Sequence, residues 1–208
     1  VEDWVRLGPR DTAAGRDFTA PAHTAHDLRA VDRMLEALRR EVASGSRRAA
    51  GPTPLTLEAR EPDGRVHRTI VCDAARLGTG RDVTWVGFFA EKRRDRDPCP
   101  LTVMDDTLIG EFPAHPEVLS YSSLELDGGD WGNLILLEDE AACDRWREGE
   151  RHAYAARELA PYHYATVRLH RGVVPGGVLG GRGPVVYRTK YYDYQGGTAW
   201  RGARDWPA

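Results

Sequence analysis

Apolar residues at three- and four-residue steps, Leu28, Val31, Leu35, Leu38 and Val42, predict an amphipathic helix early in the chain. Thr24 with Asp27 three residues on reads as a capping box at its start, so residues 1–23, where Trp4 and Phe18 lie without period, are expected as an irregular arm. SGSRRAAGPTP reads as a linker. Alternating apolar positions on both sides of Pro62-Asp63-Gly64 then predict a hairpin, with His67 on its solvent face. VTWVGFFAE, from Val83, is almost continuously apolar and rich in β-branched and aromatic residues, the pattern of a central strand buried on both faces. A short helix ending at Pro113 follows over residues 102–114. Next come strands Val118 to Leu126 and Trp131 to Leu137 around the turn Asp127-Gly128-Gly129-Asp130, and a long helix from Asp139 to Leu159 that Pro161 is expected to end. A strand over Ala165 to Val173, a glycine-rich exit, a strand within Pro184 to Tyr194 and a loose tail holding Trp200 and Trp206 complete the chain.

Length and charge restrict this picture. At 208 residues the chain has room for one good core with extensions. Twenty-nine basic against 32 acidic residues make nucleic acid or an anionic membrane unneeded as partners. Cys72, Cys99 and Cys143 form no disulfide or zinc pattern, which fits a reducing, cytoplasmic setting. No apolar run approaches about 18 residues, the length a membrane span needs. VPGGVLGGRGP lacks the helix that a phosphate loop requires after it, and no G-x-S-x-G elbow is present.

From Val83 the elements run strand, helix, strand, strand, helix, strand. In the second helix Trp146 is followed six residues later by His152. This order and the W-x-x-x-x-x-H spacing resemble the dimeric α+β barrel superfamily, with its antibiotic-biosynthesis monooxygenase-like and haem-binding relatives. The resemblance covers residues 83–174 and implies an α+β fold, a ferredoxin-like βαββαβ unit that pairs through its sheet as a homodimer. Residues 1–82 are then an N-terminal arm, helix and hairpin, and residues 175–208 a C-terminal strand and tail. Activities in that superfamily range from cofactor-free oxygenation and cyclisation to haem chemistry, so the fold does not select a reaction. The place of the ligand histidine in the haem-degrading relatives is taken here by Ala156.

Within such a barrel, alternation on the strand at Ala165 turns Arg168 and His170 inward, where Glu125 or an anionic substrate is the expected partner of Arg168. Tyr121 and Asn133 are expected on the pocket floor. Asn133 follows Gly132, a strand glycine that signals close approach of a ligand or another backbone. His152 and His170 are candidates for proton exchange, with Arg168 or Asn133 stabilising an oxyanion. Trp131, Tyr154, His163 and Glu125 are expected around a small-molecule substrate, and Trp146 with His152 would hold a haem if one is used. The reaction expected is acid-base or oxygenative work in bacterial specialised metabolism, with no metal or other cofactor. The alternatives are a haem enzyme ligated by His152, and a non-catalytic binding or dimerisation protein whose contact surface is the tyrosine-rich strand Tyr187 to Tyr194.

Overall fold

One sheet of nine strands carries the chain, in the order β1-β9-β8-β7-β4-β6-β5-β3-β2, in a computed structural model that describes residues 4–44 and 54–207. The strands are β1 (Val5–Leu7), β2 (Leu55–Arg60), β3 (Val66–Val71), β4 (Val83–Lys92), β5 (Val118–Glu125), β6 (Trp131–Leu137), β7 (Tyr164–Val174), β8 (Val185–Asp193) and β9 (Trp200–Asp205). All neighbours are antiparallel except β1 and β9, which run parallel, so the sheet is mixed. The apolar strand β4 lies at its centre. Most of the expected linker, residues 45–53, lies outside the described residues.

Helix α1 (Pro21–Ala43) crosses one face. Thr24, Asp27, Ala30, Val31, Met34, Leu35 and Leu38 form its buried stripe, and it packs on β3, β5 and β6. The core beneath includes Trp85, Phe89, Leu124, Leu134, Leu136 and Val174. Trp85 and Phe89 lie flat enough to need bare backbone across the ladder. A Cβ on Gly172, paired with Trp85, would meet the indole Nε1 at 2.4 Å and the Val185 carbonyl at 2.0 Å. A Cβ on Gly132, paired with Phe89, would meet its ring at 2.6 Å. Close approach at Gly132 is therefore made by Phe89. On the opposite face lie α3 (Cys99–Gly110) and a broken helical run: α4 (Glu140–Glu148), α5 (Glu150–Tyr154), a π-helical turn (Ala155–Leu159) and α6 (Ala160–His163). The second core, with Ile70, Phe112, Ile135, Leu137 and Trp146, lies under them, while the four-residue α2 (Ala74–Leu77) adds Leu77 to the first.

This architecture overturns the expected ferredoxin-like unit and its dimeric barrel. The sheet has nine strands, and α1 of the same chain covers the face a partner would have closed. Other corrections have local causes. The first helix starts at Pro21, whose missing N–H costs nothing in a first turn, so Thr24 and Asp27 are interior positions and not a cap. The N-terminal arm contains β1, and the tail contains β9. They meet because Arg204, fully buried in β9, donates from Nε to the Gly8 carbonyl at 3.0 Å, from Nη2 to the Thr19 carbonyl at 3.0 Å and to the Asp11 carbonyl, and from Nη1 to the Tyr191 hydroxyl at 2.7 Å. His67 is buried, 2.9 Å from Glu61 Oε1. Strand β8 is interior to the sheet with Tyr191 fully buried, so its tyrosines form no free contact edge.

The long second helix breaks at Gly149, which is extended (φ −56°, ψ 136°). It also runs past Pro161. Proline has no N–H for the carbonyl four residues back and its ring crowds that carbonyl; the turn before it widens to π geometry and the helix continues to His163.

Candidate functional site

A cavity of about 310 Å³ lies between the central strands and the α3 and α4–α6 layer. Its wall is aromatic: Phe112 packs against Tyr121 (5.7 Å between centroids) and Trp146 (5.6 Å), and Trp146 meets the His152 ring edge-on at 6.0 Å. Val86, Phe88, Val167 and Leu169 form the sheet floor. The π-helical turn supplies Ala155, Ala156 and Leu159, small or flexible groups that leave space where a regular helix would pack closer. Single π turns inside helices recur at functional sites.

Few polar groups enter this space. His152, on α5 beside the π turn, has a buried Nδ1 with no hydrogen-bond partner. Burial holds its pKa below the ordinary histidine value, opposed by the Arg147 backbone, so the imidazole is neutral near pH 7. Tyr121 donates its hydroxyl to Asp105 Oδ1 at 2.7 Å. Burial, and then the Asp105 charge, push the Tyr121 phenol well above its ordinary value, so it remains a donor. Arg68 pairs with the other oxygen of Asp105. Burial pushes the Cys143 thiol up to about 11, which keeps it protonated and a poor nucleophile near neutrality.

Of the residues singled out from the sequence, Tyr121, Asn133, Trp146 and His152 meet in this cavity. Trp131 lines a smaller hollow of about 240 Å³ beside it. Tyr154 is half exposed on α5. His163 is buried at the end of α6 with its ring 4.9 Å from Tyr162, and Glu125 accepts from the Val66 N–H at 3.1 Å; neither lines either of these two spaces.

Arg168 and His170 lie on the other face, under α1. Alternation on β7 places them together, but the space is filled by Asp27, which accepts from Arg168 Nε at 2.6 Å and Nη2 at 2.9 Å, and lies 3.0 Å from His170 Nε2. Asp27 therefore takes the place expected for Glu125 or a substrate. The bonding fixes the tautomer of His170. Trp206 Nε1 donates to Thr189 Oγ1 (2.8 Å), the Thr189 hydroxyl is left to donate to His170 Nδ1 (2.9 Å), and Nε2–H faces the carboxylate. The Thr189, His170 and Asp27 side chains resemble a nucleophile triad in composition, but all three are fully buried and line neither cavity. They tie α1 and the C-terminal strand to the sheet.

Sequence reasoning missed Asp105, Arg68, Lys92 and Ser123. Asp105 could have been found as a carboxylate one turn before the apolar positions Leu108 and Ile109 of α3. Among the described residues no group of three or more His, Cys, Asp or Glu is arranged to hold a metal ion, and no helix is long and apolar enough to cross a membrane.

No protein-family model matches the chain, and no curated protein matches it. Among solved structures, the crystal structure of protein SO0527 from Shewanella oneidensis is similar over 46% of this chain and 95% of its own, at 12% identity and a TM-score of 0.38.

Proposed function

We propose that this chain is a small-molecule enzyme that works by acid-base catalysis in the cavity between the sheet and the α3 and α4–α6 layer, with His152 as the proton acceptor. The observation that carries this reading is the unpartnered, buried Nδ1 of His152 on the wall of an apolar cavity. A buried polar atom without a partner costs roughly 1 to 3 kcal/mol, and a substrate proton donor would offset that cost when bound. A neutral imidazole in apolar surroundings is a competent base near pH 7. Tyr121 spends its one O–H on Asp105, so the side-chain amide of Asn133, which lines the same cavity, is the donor for a developing oxyanion, and the Phe112 and Trp146 rings exclude water. The volume and the aromatic lining suit a ring-bearing substrate with a carbonyl group.

The elementary step can be tested without knowing the natural substrate. Incubated in heavy water with beta-tetralone, an aromatic ketone with exchangeable carbon-bound protons, the protein is expected to speed deuterium uptake, and His152→Gln to slow it at least tenfold. The rate should rise with pH through a midpoint below about 6.5, the ordinary histidine value, because the basic form is the neutral one. Exchange that is unchanged in His152→Gln contradicts the assignment. His152 is also the residue that would hold a haem in the alternative reading. A cavity at the lower end of the small-ligand range favours a compact substrate over a macrocycle, and a Soret band in protein expressed with haem precursor would reverse that choice.

A further inference from the structure

The amide and hydroxyl groups on the wall of the aromatic cavity differ in what they have left to offer. Tyr121 spends its O–H on Asp105. Asn133 and Tyr164 are not committed in this way. Among the described residues neither the Asn133 amide nor the Tyr164 hydroxyl makes a hydrogen bond, and both retain accessible surface. Both residues line the cavity and also the smaller hollow beside it, so they stand where the two spaces meet, whereas His152 lines the cavity alone.

Strand register sets the two residues apart. Asn133 of β6 lies beside Phe88 of β4, while Tyr164 opens β7 beside Lys92, four residues farther along β4. At roughly 3.3 Å per residue that is about 13 Å of sheet. The Tyr164 ring closes part of this gap, standing edge-on to Phe88 with the centroids 5.4 Å apart. Burial, and then the charges of Asp105 and Asp130, push the Tyr164 phenol above its ordinary value, so it remains an O–H. Around the adjoining hollow three acids, Glu58, Asp105 and Asp106, stand against Arg68 and Lys92, and this balance disfavours an anion. Tyr194 lines the cavity too, but it follows β8, a strand farther from Asn133, and stacks on Tyr192 at 6.0 Å.

We propose that Tyr164 is a specificity-determining residue of the cavity, and that the ligand is a neutral fused-ring ketone carrying a hydroxyl group remote from its carbonyl. The carbonyl end lies at His152 and Asn133, the rings lie over Phe88, and the hydroxyl meets the Tyr164 phenol, which can both donate to it and accept from it. A wall hydroxyl in an apolar space selects strongly, because an analogue that lacks the matching group displaces water and leaves the wall group unpaired. This inference rests on the reading of the aromatic cavity as a ligand site and specifies the class of molecule it takes.

Titration calorimetry near neutral pH with beta-tetralone, its 6-hydroxy derivative and its 6-carboxy derivative tests the hydroxyl contact and the cavity separately. The hydroxy compound is expected to bind about fivefold more tightly than beta-tetralone, the worth of one hydrogen bond, and the carboxylate more weakly than either. Tyr164→Phe keeps the ring against Phe88 and should remove the preference while retaining wild-type affinity for beta-tetralone, which also shows that the variant is folded. Tyr194→Phe should keep the preference. Equal affinity for the hydroxy compound and beta-tetralone in the wild-type protein, tightest binding of the carboxylate, or a preference that survives in Tyr164→Phe or is lost in Tyr194→Phe, overturns the assignment of Tyr164 and leaves the cavity reading standing. Binding of none of the three overturns both.

Discussion

Asp27→Ala is expected to destabilise the protein by roughly 3 to 5 kcal/mol at neutral pH, the cost of leaving one side of a buried charge pair without its partner. Arg168 is mostly buried and spends both Nε and Nη2 on this carboxylate, while the fully buried His170 points Nε2 at the same group. The variant leaves these donors facing a void under α1. The pH dependence has a definite sign. Burial pushes the Asp27 carboxyl up, but hydrogen bonds from His170 and Arg168 outweigh burial and hold its pKa below the ordinary value. Its contribution is therefore full above about pH 3.9 and lost as pH falls through the folded value. Burial also holds His170 below its ordinary value. The unfolded chain takes up a proton near pH 6.5 that the folded chain refuses, so stability starts to fall as pH drops below about 6.5. Chemical denaturation across this range checks both points. An Asp27→Ala midpoint equal to wild type, or wild-type stability that rises on acidification from pH 6.5 to 5, contradicts the network.

Arg204→Met is expected to cost at least about 3 kcal/mol and to release the N-terminal arm. Methionine keeps much of the volume but removes the donors that satisfy the carbonyls of Gly8, Asp11 and Thr19 and the Tyr191 hydroxyl. Strand β1 is three residues long and, among the described residues, pairs only with β9, so it has little else to hold it. Amide exchange should show protection lost over Val5–Leu7 first, with β4 and β6 protected until global unfolding. Uniform loss of protection would contradict a local anchoring role for Arg204.

These two sites also show what the sequence made legible. The apolar stripe of α1 and the doubly buried β4 follow from periodicity, because packing against a sheet imposes that periodicity directly. Asp27 sits on the same stripe, but a Thr followed three residues later by an acid also satisfies the rule for a helix start, and Pro21 is the stronger signal. Strand β9, WRGARD, reads as polar because its one large buried residue is an arginine solvated by carbonyls. Alternation on β7 assigned Arg168 and His170 to one face correctly. That this face is filled by a helix from 140 residues earlier is a long-range fact, and no local pattern carries it. In the candidate site, Tyr121, Asn133, Trp146 and His152 were accessible from alternation and helical spacing. Lys92 and Ser123 were not, since each is an ordinary solvent-type residue whose place at the smaller hollow depends on the cross-strand register.

In the proposed mechanism His152 is a neutral base facing a ligand cavity, while His170 is sealed in a structural network. Proton NMR of the histidine ring signals, followed over pH with and without beta-tetralone, tests it directly. His152 is expected to titrate below about 6.5 with a signal that moves on ligand addition, whereas His170 keeps one neutral form until the protein unfolds and does not respond to ligand. A His152 signal that titrates at the ordinary value and ignores the ligand, with His170 responding instead, would contradict the account and move the site to the α1 face of the sheet.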